Sequence, residues 1–117
     1  MISVRNIYIS PASNYWQKPK GKPGDAPTFD LPEVECHAGK GLVGDRFYQY
    51  KEEKYQDNYD GQITFFSYDL YCDLQAFLGK KFDAKVFRRN VLLSGINPLE
   101  LIDKEFSIGG IRFLGRV

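Results

Sequence analysis

The stretch His37-Ala38-Gly39-Lys40-Gly41-Leu42-Val43-Gly44-Asp45-Arg46 gathers the residue types in this chain best suited to chemistry. Three glycines in six residues let the backbone take positive φ and approach a ligand with no Cβ in the way. Lys40 stands inside the loop and the pair Asp45-Arg46 closes it. Bare amides to wrap an anion, and cationic side chains to neutralise it, make this a candidate anion site. A hairpin or bulge connection with no ligand accounts for the same composition. Gly39, Gly41 and Gly44 also spell G-x-G-x-x-G, the dinucleotide-binding fingerprint, which counts only between a strand and a helix inside a βαβ unit. A strand is predicted before the loop, around Val34-Glu35-Cys36. Asp45 to Tyr50, after it, is bulky and β-prone with no apolar stripe, so the context for a dinucleotide site is missing.

Other chemistries are thinly provided. His37, the single histidine, adjoins Cys36. Neighbours on a strand point to opposite faces, which argues against a Cys–His dyad and leaves His37 as a hydrogen-bonding residue of the loop. One histidine and two distant cysteines, Cys36 and Cys72, cannot close a zinc site or form a disulfide framework. No serine sits in a nucleophile-elbow context. What remains is a set of anion-binding groups: Lys40, Arg46 and the loop amides, Gln62 with Thr64, and Arg88 with Asn90. Arginine offers a fixed fork to phosphate oxygens, while Asn and Gln can read the edge of a heterocycle. Taken singly, each arginine reads as ion-paired or solvated. Converging on one site, the group reads as a pocket for a phosphate-bearing heterocycle.

The elements that must position these residues are mostly short strands. Ile2, Val4, Ile7 and Ile9 mark a first strand, closed by Ser10-Pro11. Ala12 to Asp30 is polar and rich in Pro, Lys and Gly, hence an exposed loop in which Tyr15 and Trp16 need packing partners. Leu31 to Cys36 is a predicted second strand, and Lys51 to Asp60 a hairpin excursion. Gly61 to Ser67 is a predicted strand whose alternation puts Ile63 and Phe65 on one face and Gln62, Thr64 and Phe66 on the other. Ser67 then N-caps a helix with Leu70, Leu74, Phe77 and Leu78 on one stripe, stopped by Gly79, with Cys72 packed inside. Val86 to Gly95 is a further predicted strand, with Arg88 and Asn90 pointing together to one side. Asn97-Pro98 opens a short helix, and Gly109-Gly110 turns a hairpin between Glu105–Ile108 and Ile111–Leu114. Short strands, one main helix, one short helix and no βαβ alternation predict a mainly β, barrel-like fold.

Length and composition narrow the class further. At 117 residues the chain is expected to be one domain. Acids and bases nearly cancel, at net +1, so a general nucleic-acid or membrane-surface binder is disfavoured. No stretch is apolar enough to span a bilayer, and the start lacks the charged and apolar regions of a signal peptide. Two free thiols suit a reducing compartment, so the expected location is cytoplasmic.

The motifs Ile9-Ser10-Pro11, Gly41-Leu42-Val43-Gly44-Asp45-Arg46, Gln62-Ile63-Thr64, Arg88-Arg89-Asn90 with Gly95-Ile96-Asn97, and Phe106-Ser107-Ile108-Gly109 occur in that order. Together they resemble the MOSC domain, named for the C-terminal region of molybdenum cofactor sulfurases, and in particular its small stand-alone bacterial members. The resemblance covers nearly the whole chain. It implies a β, barrel-like fold that binds the molybdopterin form of the molybdenum cofactor. The implied roles are sulfur transfer to that cofactor, as a sulfurtransferase does, or reduction of N-hydroxylated substrates. Molybdopterin is a pterin carrying a phosphate, which agrees with the ligand class reached from the side chains. By resemblance, Arg88 and Asn90 match an Arg-x-Asn strand motif that holds the cofactor. Gly44, Asp45 and Arg46 match the glycine loop, and Gln62 and Thr64 the strand after it. Lys40 joins them on physical grounds alone. A molybdoenzyme or a cysteine desulfurase is the implied partner.

Family members also place a cysteine shortly after the strand that here reads Ile111-Arg112-Phe113-Leu114-Gly115, as sulfur carrier or metal ligand. Cys36 and Cys72 do not match that position, and the sequence ends at Val117. The expectation is therefore a MOSC-like domain over 1–117, truncated before the cysteine segment, or a binding and assembly module without catalysis. A sheet edge left exposed there would invite a homodimer.

Overall fold

The computed structural model describes residues 2–11, 16–17, 22–23, 27–45, 48 and 62–116. Its chain divides into two compact units, one of Met1–Asn6 with Phe65–Val117 and one of Ile7–Thr64. Strand β1 (Ser3–Ile9) begins in the first and runs into the second. The described elements are mainly strands, with one α-helix and short 3-10 turns. Among the described residues the strands form separate ladders, and none closes into a barrel.

In the unit that holds both termini, strands β7 (Phe65–Ser67) and β8 (Val91–Ser94) pair in parallel, Phe65 opposite Val91 and Ser67 opposite Leu93. Helix α1 (Tyr68–Leu78) lies between them in the chain. Parallel neighbours need such a crossover, so β7–α1–β8 is a βαβ unit, contrary to the expectation of none. β8 lies between β1 and β7 in the sheet. Val91, Leu92 and Leu93 are all buried. A run buried on both faces is the signature of a covered central strand.

The alternation along β7 sends its two phenylalanines into different clusters. Phe65 meets Phe106 and Phe113 edge-on, each at 5.6 Å between ring centroids. Phe66 stacks on Phe87 at 4.2 Å, and Phe87 in turn contacts Tyr71 and Phe82.

Helix α1 begins and ends as the sequence predicts. Ser67 Oγ accepts the N–H of Leu70, an N-cap bond. Gly79, at φ 67, closes the C-terminus, with its own N–H on Ala76 O and that of Lys80 on Gln75 O, the two bonds of a Schellman motif. Its orientation differs from the expectation. Leu70 and Leu78 are exposed and Phe77 is 86 % exposed. Tyr68, Tyr71, Leu74 and Gln75 are the half-buried positions, because the aromatic cluster of Phe66, Phe82 and Phe87 draws in the tyrosine side. Cys72, expected inside, is exposed.

The strand predicted over 86–95 is shorter. A 3-10 helix, Ala84–Phe87, comes first, capped by Asp83 Oδ1 accepting from Lys85 N. Arg88 then takes the left-handed conformation at φ 56. Only from Val91 does the chain extend. The short helix opened by Asn97 is a 3-10 turn, Pro98–Leu101, with Asn97 Oδ1 accepting from Leu99 N. Strands β9 (Glu105–Ile108) and β10 (Ile111–Leu114) form the predicted hairpin, Ile108 opposite Ile111 across Gly109-Gly110.

The unit Ile7–Thr64 holds the remaining pairs. β4 (Phe29–Asp30) pairs antiparallel with the end of β1, Tyr8 opposite Asp30. β2 (Trp16–Gln17) and β3 (Lys22–Pro23) form a small ladder inside the segment read as a loop. β5 (Cys36–His37) and β6 (Gly41–Leu42) form another. The second strand predicted over Leu31–Cys36 is thus split into β4 before it and β5 at its end. Pro32 cannot donate to a ladder, which disfavours a strand through it. Gln62, Ile63 and Thr64 precede β7 rather than lying on it. Tyr15 and the predicted excursion over 51–60 lie outside the described residues. Among the described residues no helix is long and apolar enough to cross a membrane.

Candidate functional site

The glycine-rich stretch folds as a hairpin and a turn. His37 pairs with Gly41, and the N–H of Lys40 bonds the carbonyl of His37 at 3.0 Å. Ala38, Gly39 and Lys40 therefore make a three-residue loop, with Gly39 at φ 77. The N–H of Val43 reaches Glu35 O, and that of Asp45 reaches Leu42 O at 3.1 Å. Gly44, at φ 89, fills the left-handed third position that a type II turn requires. A Cβ at Gly41 would stand 2.7 Å from the backbone oxygen of Gln62, and one at Gly44 would stand 3.1 Å from Ile9 Cδ1. The space that glycine leaves at Gly41 is thus filled by the protein's own backbone.

Asp45 is fully buried. Its Oδ1 accepts the backbone N–H of Ser10 at 3.0 Å, and the hydroxyl of Ser10 donates to Pro27 O at 2.9 Å. A buried carboxylate is sustained only where donors meet it. Asp45 accordingly ties the end of β1 to the glycine turn. Three segments singled out in the sequence come together here: Ile9-Ser10-Pro11, the glycine turn, and Gln62.

The other candidates are placed as follows. Lys40 is exposed at the hairpin tip, and Gln62 and Thr64 are half-buried. Arg46 lies outside the described residues. Arg88 and Asn90 belong to the unit of the two termini. They do not point together from a strand, as the alternation predicts. Arg88 is exposed at the left-handed end of the 3-10 helix, while Asn90 is buried just before β8. The two residues flank the change from helical to extended backbone, which breaks the period-two relation.

A cluster that sequence reasoning missed surrounds His37. Its Nδ1 lies 2.8 Å from Tyr48 Oη, and its Nε2 lies 3.3 Å from Glu35 Oε2. The rings of His37 and Tyr48 meet at 5.4 Å and 64°. Half of this was available from alternation, which puts Glu35 and His37 on one face. Tyr48 carried no such signal, since a turn separates it from the hairpin. Burial pushes the Cys36 thiol up, so it is less ionised at neutral pH than an exposed cysteine. Among the described residues no group of three or more His, Cys, Asp and Glu side chains is placed to hold a metal ion.

No family model matches the chain, and neither a curated protein nor a solved structure is detectably similar to it.

Proposed function

We propose that the chain is a MOSC-like domain, with a barrel-like β fold, that binds the molybdopterin form of the molybdenum cofactor by its phosphate. Its role is sulfur transfer to that cofactor or redox chemistry with it, in the cytoplasm, with a molybdoenzyme or a cysteine desulfurase as protein partner. The observation that carries this reading is Arg88. An arginine in the left-handed region costs about 1 kcal/mol or more relative to glycine. Arg88 nevertheless occupies it, at φ 56, with an exposed side chain. Asp103 shares that region at φ 61, where a short Asp is more readily accommodated. Strain borne by an exposed arginine is what a site selected for its guanidinium fork would retain.

A second support is the meeting of the family-like motifs. Ser10 and Asp45, 35 residues apart, are joined by a hydrogen bond, and Gly41 lies against Gln62. The donor set suits the phosphate end of the cofactor. Arg88 would bind phosphate oxygens through paired N–H groups. Asn90, being buried, would hold the backbone around Arg88 rather than read the pterin. The cofactor, when bound, supplies the molybdenum and its sulfur or redox chemistry. A binding and assembly module without catalysis is the second reading. It is favoured by burial, which pushes the Cys36 thiol up and so disfavours the thiolate form that sulfur transfer needs.

The test is to express the protein in cells that make molybdopterin, oxidise the purified protein, and read pterin fluorescence. The wild type is expected to carry pterin. Arg88→Gly should lower the bound amount about tenfold or more, the value of a charge-assisted hydrogen-bonded contact. The circular dichroism spectrum should be retained, because glycine suits the local backbone better than arginine. A pterin-free wild type, or equal pterin on the variant, overturns the reading.

A further inference from the structure

We propose that Tyr48 is an activated nucleophile that accepts acyl groups from activated esters, with His37 as its general base and Glu35 as the group that orients the base. The protonation pattern follows from the partners. A carboxylate only accepts hydrogen bonds, so the His37 Nε2 facing Glu35 carries the proton. In the neutral ring that leaves Nδ1 as an acceptor, and the hydroxyl of Tyr48 donates to it across 2.8 Å. A nucleophile within hydrogen-bond reach of a base, whose far nitrogen is held by a third group, is the arrangement that activates weak nucleophiles.

Tyr71 provides the contrast within the same chain. Its hydroxyl donates to the carbonyl of Phe82, which cannot take the proton, and burial together with Asp83 pushes its phenol up. Tyr48 faces a base instead. The side chain of His37 is 46 % exposed and Tyr48 is half-buried, so both are partly open to solvent. The step balances without another reagent. The phenol proton passes to Nδ1 of His37, and the Oη electron pair attacks the ester carbonyl carbon. The bond to the leaving oxygen breaks, that oxygen departs with its electron pair, and it takes up the proton from Nδ1 of His37, which returns to its neutral form. The products are an acyl ester of Tyr48 and a free phenol or alcohol. Tyr48, His37 and Glu35 take no part in the proposed cofactor role, so the two readings fail separately.

The probe is p-nitrophenyl acetate with the intact chain, the label being located by peptide mass spectrometry. Tyr48 is expected to be acetylated faster than any other tyrosine. His37→Gln should slow that labelling about tenfold or more, since general-base assistance is commonly worth at least that much, and Glu35→Gln should slow it less. Because the chain has a single histidine, nitrogen NMR reads its tautomer directly, with the proton of the neutral ring expected on Nε2. Label spread evenly over the tyrosines, label confined to His37, or an unchanged rate in His37→Gln each overturns the proposal. So does a neutral ring protonated on Nδ1, which would make the array only a tie between the hairpin and Tyr48.

Discussion

The β5–β6 hairpin and the β9–β10 hairpin both carry glycines with positive φ, but a Cβ added at Gly41 in the first or at Gly109 and Gly110 in the second would meet different things. Gly109 and Gly110, at φ 58 and 81, have nothing within 4 Å of that position. Positive φ at both central residues is what a two-residue type I′ turn demands, and glycine meets the demand by conformation alone. Gly41, at φ 109, has the same freedom, but a Cβ there would stand 2.7 Å from the backbone oxygen of Gln62. Glycine in the first hairpin therefore supplies both a backbone angle and room for another segment. The difference bears on function. A loop rich in glycine suggests an anion cradle from its sequence, yet at Gly41 the approaching group is the protein's own carbonyl.

If room rather than conformation governs the cost, the most damaging substitution should be one where the obstacle is backbone at the shortest range. Gly115, just after β10, is that case. A Cβ there would run into Leu101 O and stand 2.7 Å from Leu101 C. The segment cannot retreat easily, because Gly115 N–H bonds Lys104 O and Gly115 O accepts from Asp103 N, each at 2.9 Å. Gly115→Ala is expected to cost about 3 kcal/mol, the upper range for overpacking. Urea denaturation reads this as a lowered midpoint at constant slope. A loss below about 1 kcal/mol would mean that the bridge between Ile102 and Gly115 opens at little cost.

Gly41→Ala comes next, at about 2 kcal/mol, from the strain of a positive φ together with the encounter with Gln62 O. This variant bears most directly on the comparison. Were it to cost no more than a substitution at Gly109, the carbonyl of Gln62 would not press on the loop. The loop glycines would then be available to a ligand after all.

The sequence made legible whatever local chemistry decides. Ser67 as a cap, Gly79 as a stop, Asn97-Pro98 as a helix start and Gly109-Gly110 as a turn all act through bonds within a few residues, and each stands where its type predicts. What alternation alone could not fix was where extension begins. Phe87 to Val91 reads as strand by apolar parity, but the Asp83 cap holds Ala84–Phe87 in a 3-10 turn, and Arg88 ends it in the left-handed conformation. Arg88 and Asn90 consequently differ in exposure although parity puts them on one side. The buried face of α1 was equally out of reach. Leu70, Leu74, Phe77 and Leu78 make the better stripe on paper, yet Tyr71 packs its ring on Phe82 and Phe87 while Leu70, Phe77 and Leu78 stay exposed. Asp45 shows a third kind of limit: the resemblance put it among the cofactor-binding residues, while its burial and its bond to Ser10 give it a part in the fold.

The smallest effect belongs to Gly109→Asn, and its sign is informative. Asn tolerates the left-handed region better than most residues, and Asn-Gly is a favoured pair for a two-residue hairpin turn. With nothing within 4 Å of a Cβ at Gly109, the new side chain meets no obstacle. Removing a glycine also narrows the unfolded ensemble, which stabilises the folded state wherever the native angle is tolerated. The two contributions leave a net change within about 0.5 kcal/mol of zero, and on the stabilising side if the unfolded-state effect prevails. Thermal and urea unfolding of the same variant measure it. A loss above about 1 kcal/mol would place an obstacle at the β9–β10 turn, and the two hairpins would then no longer differ in why they use glycine.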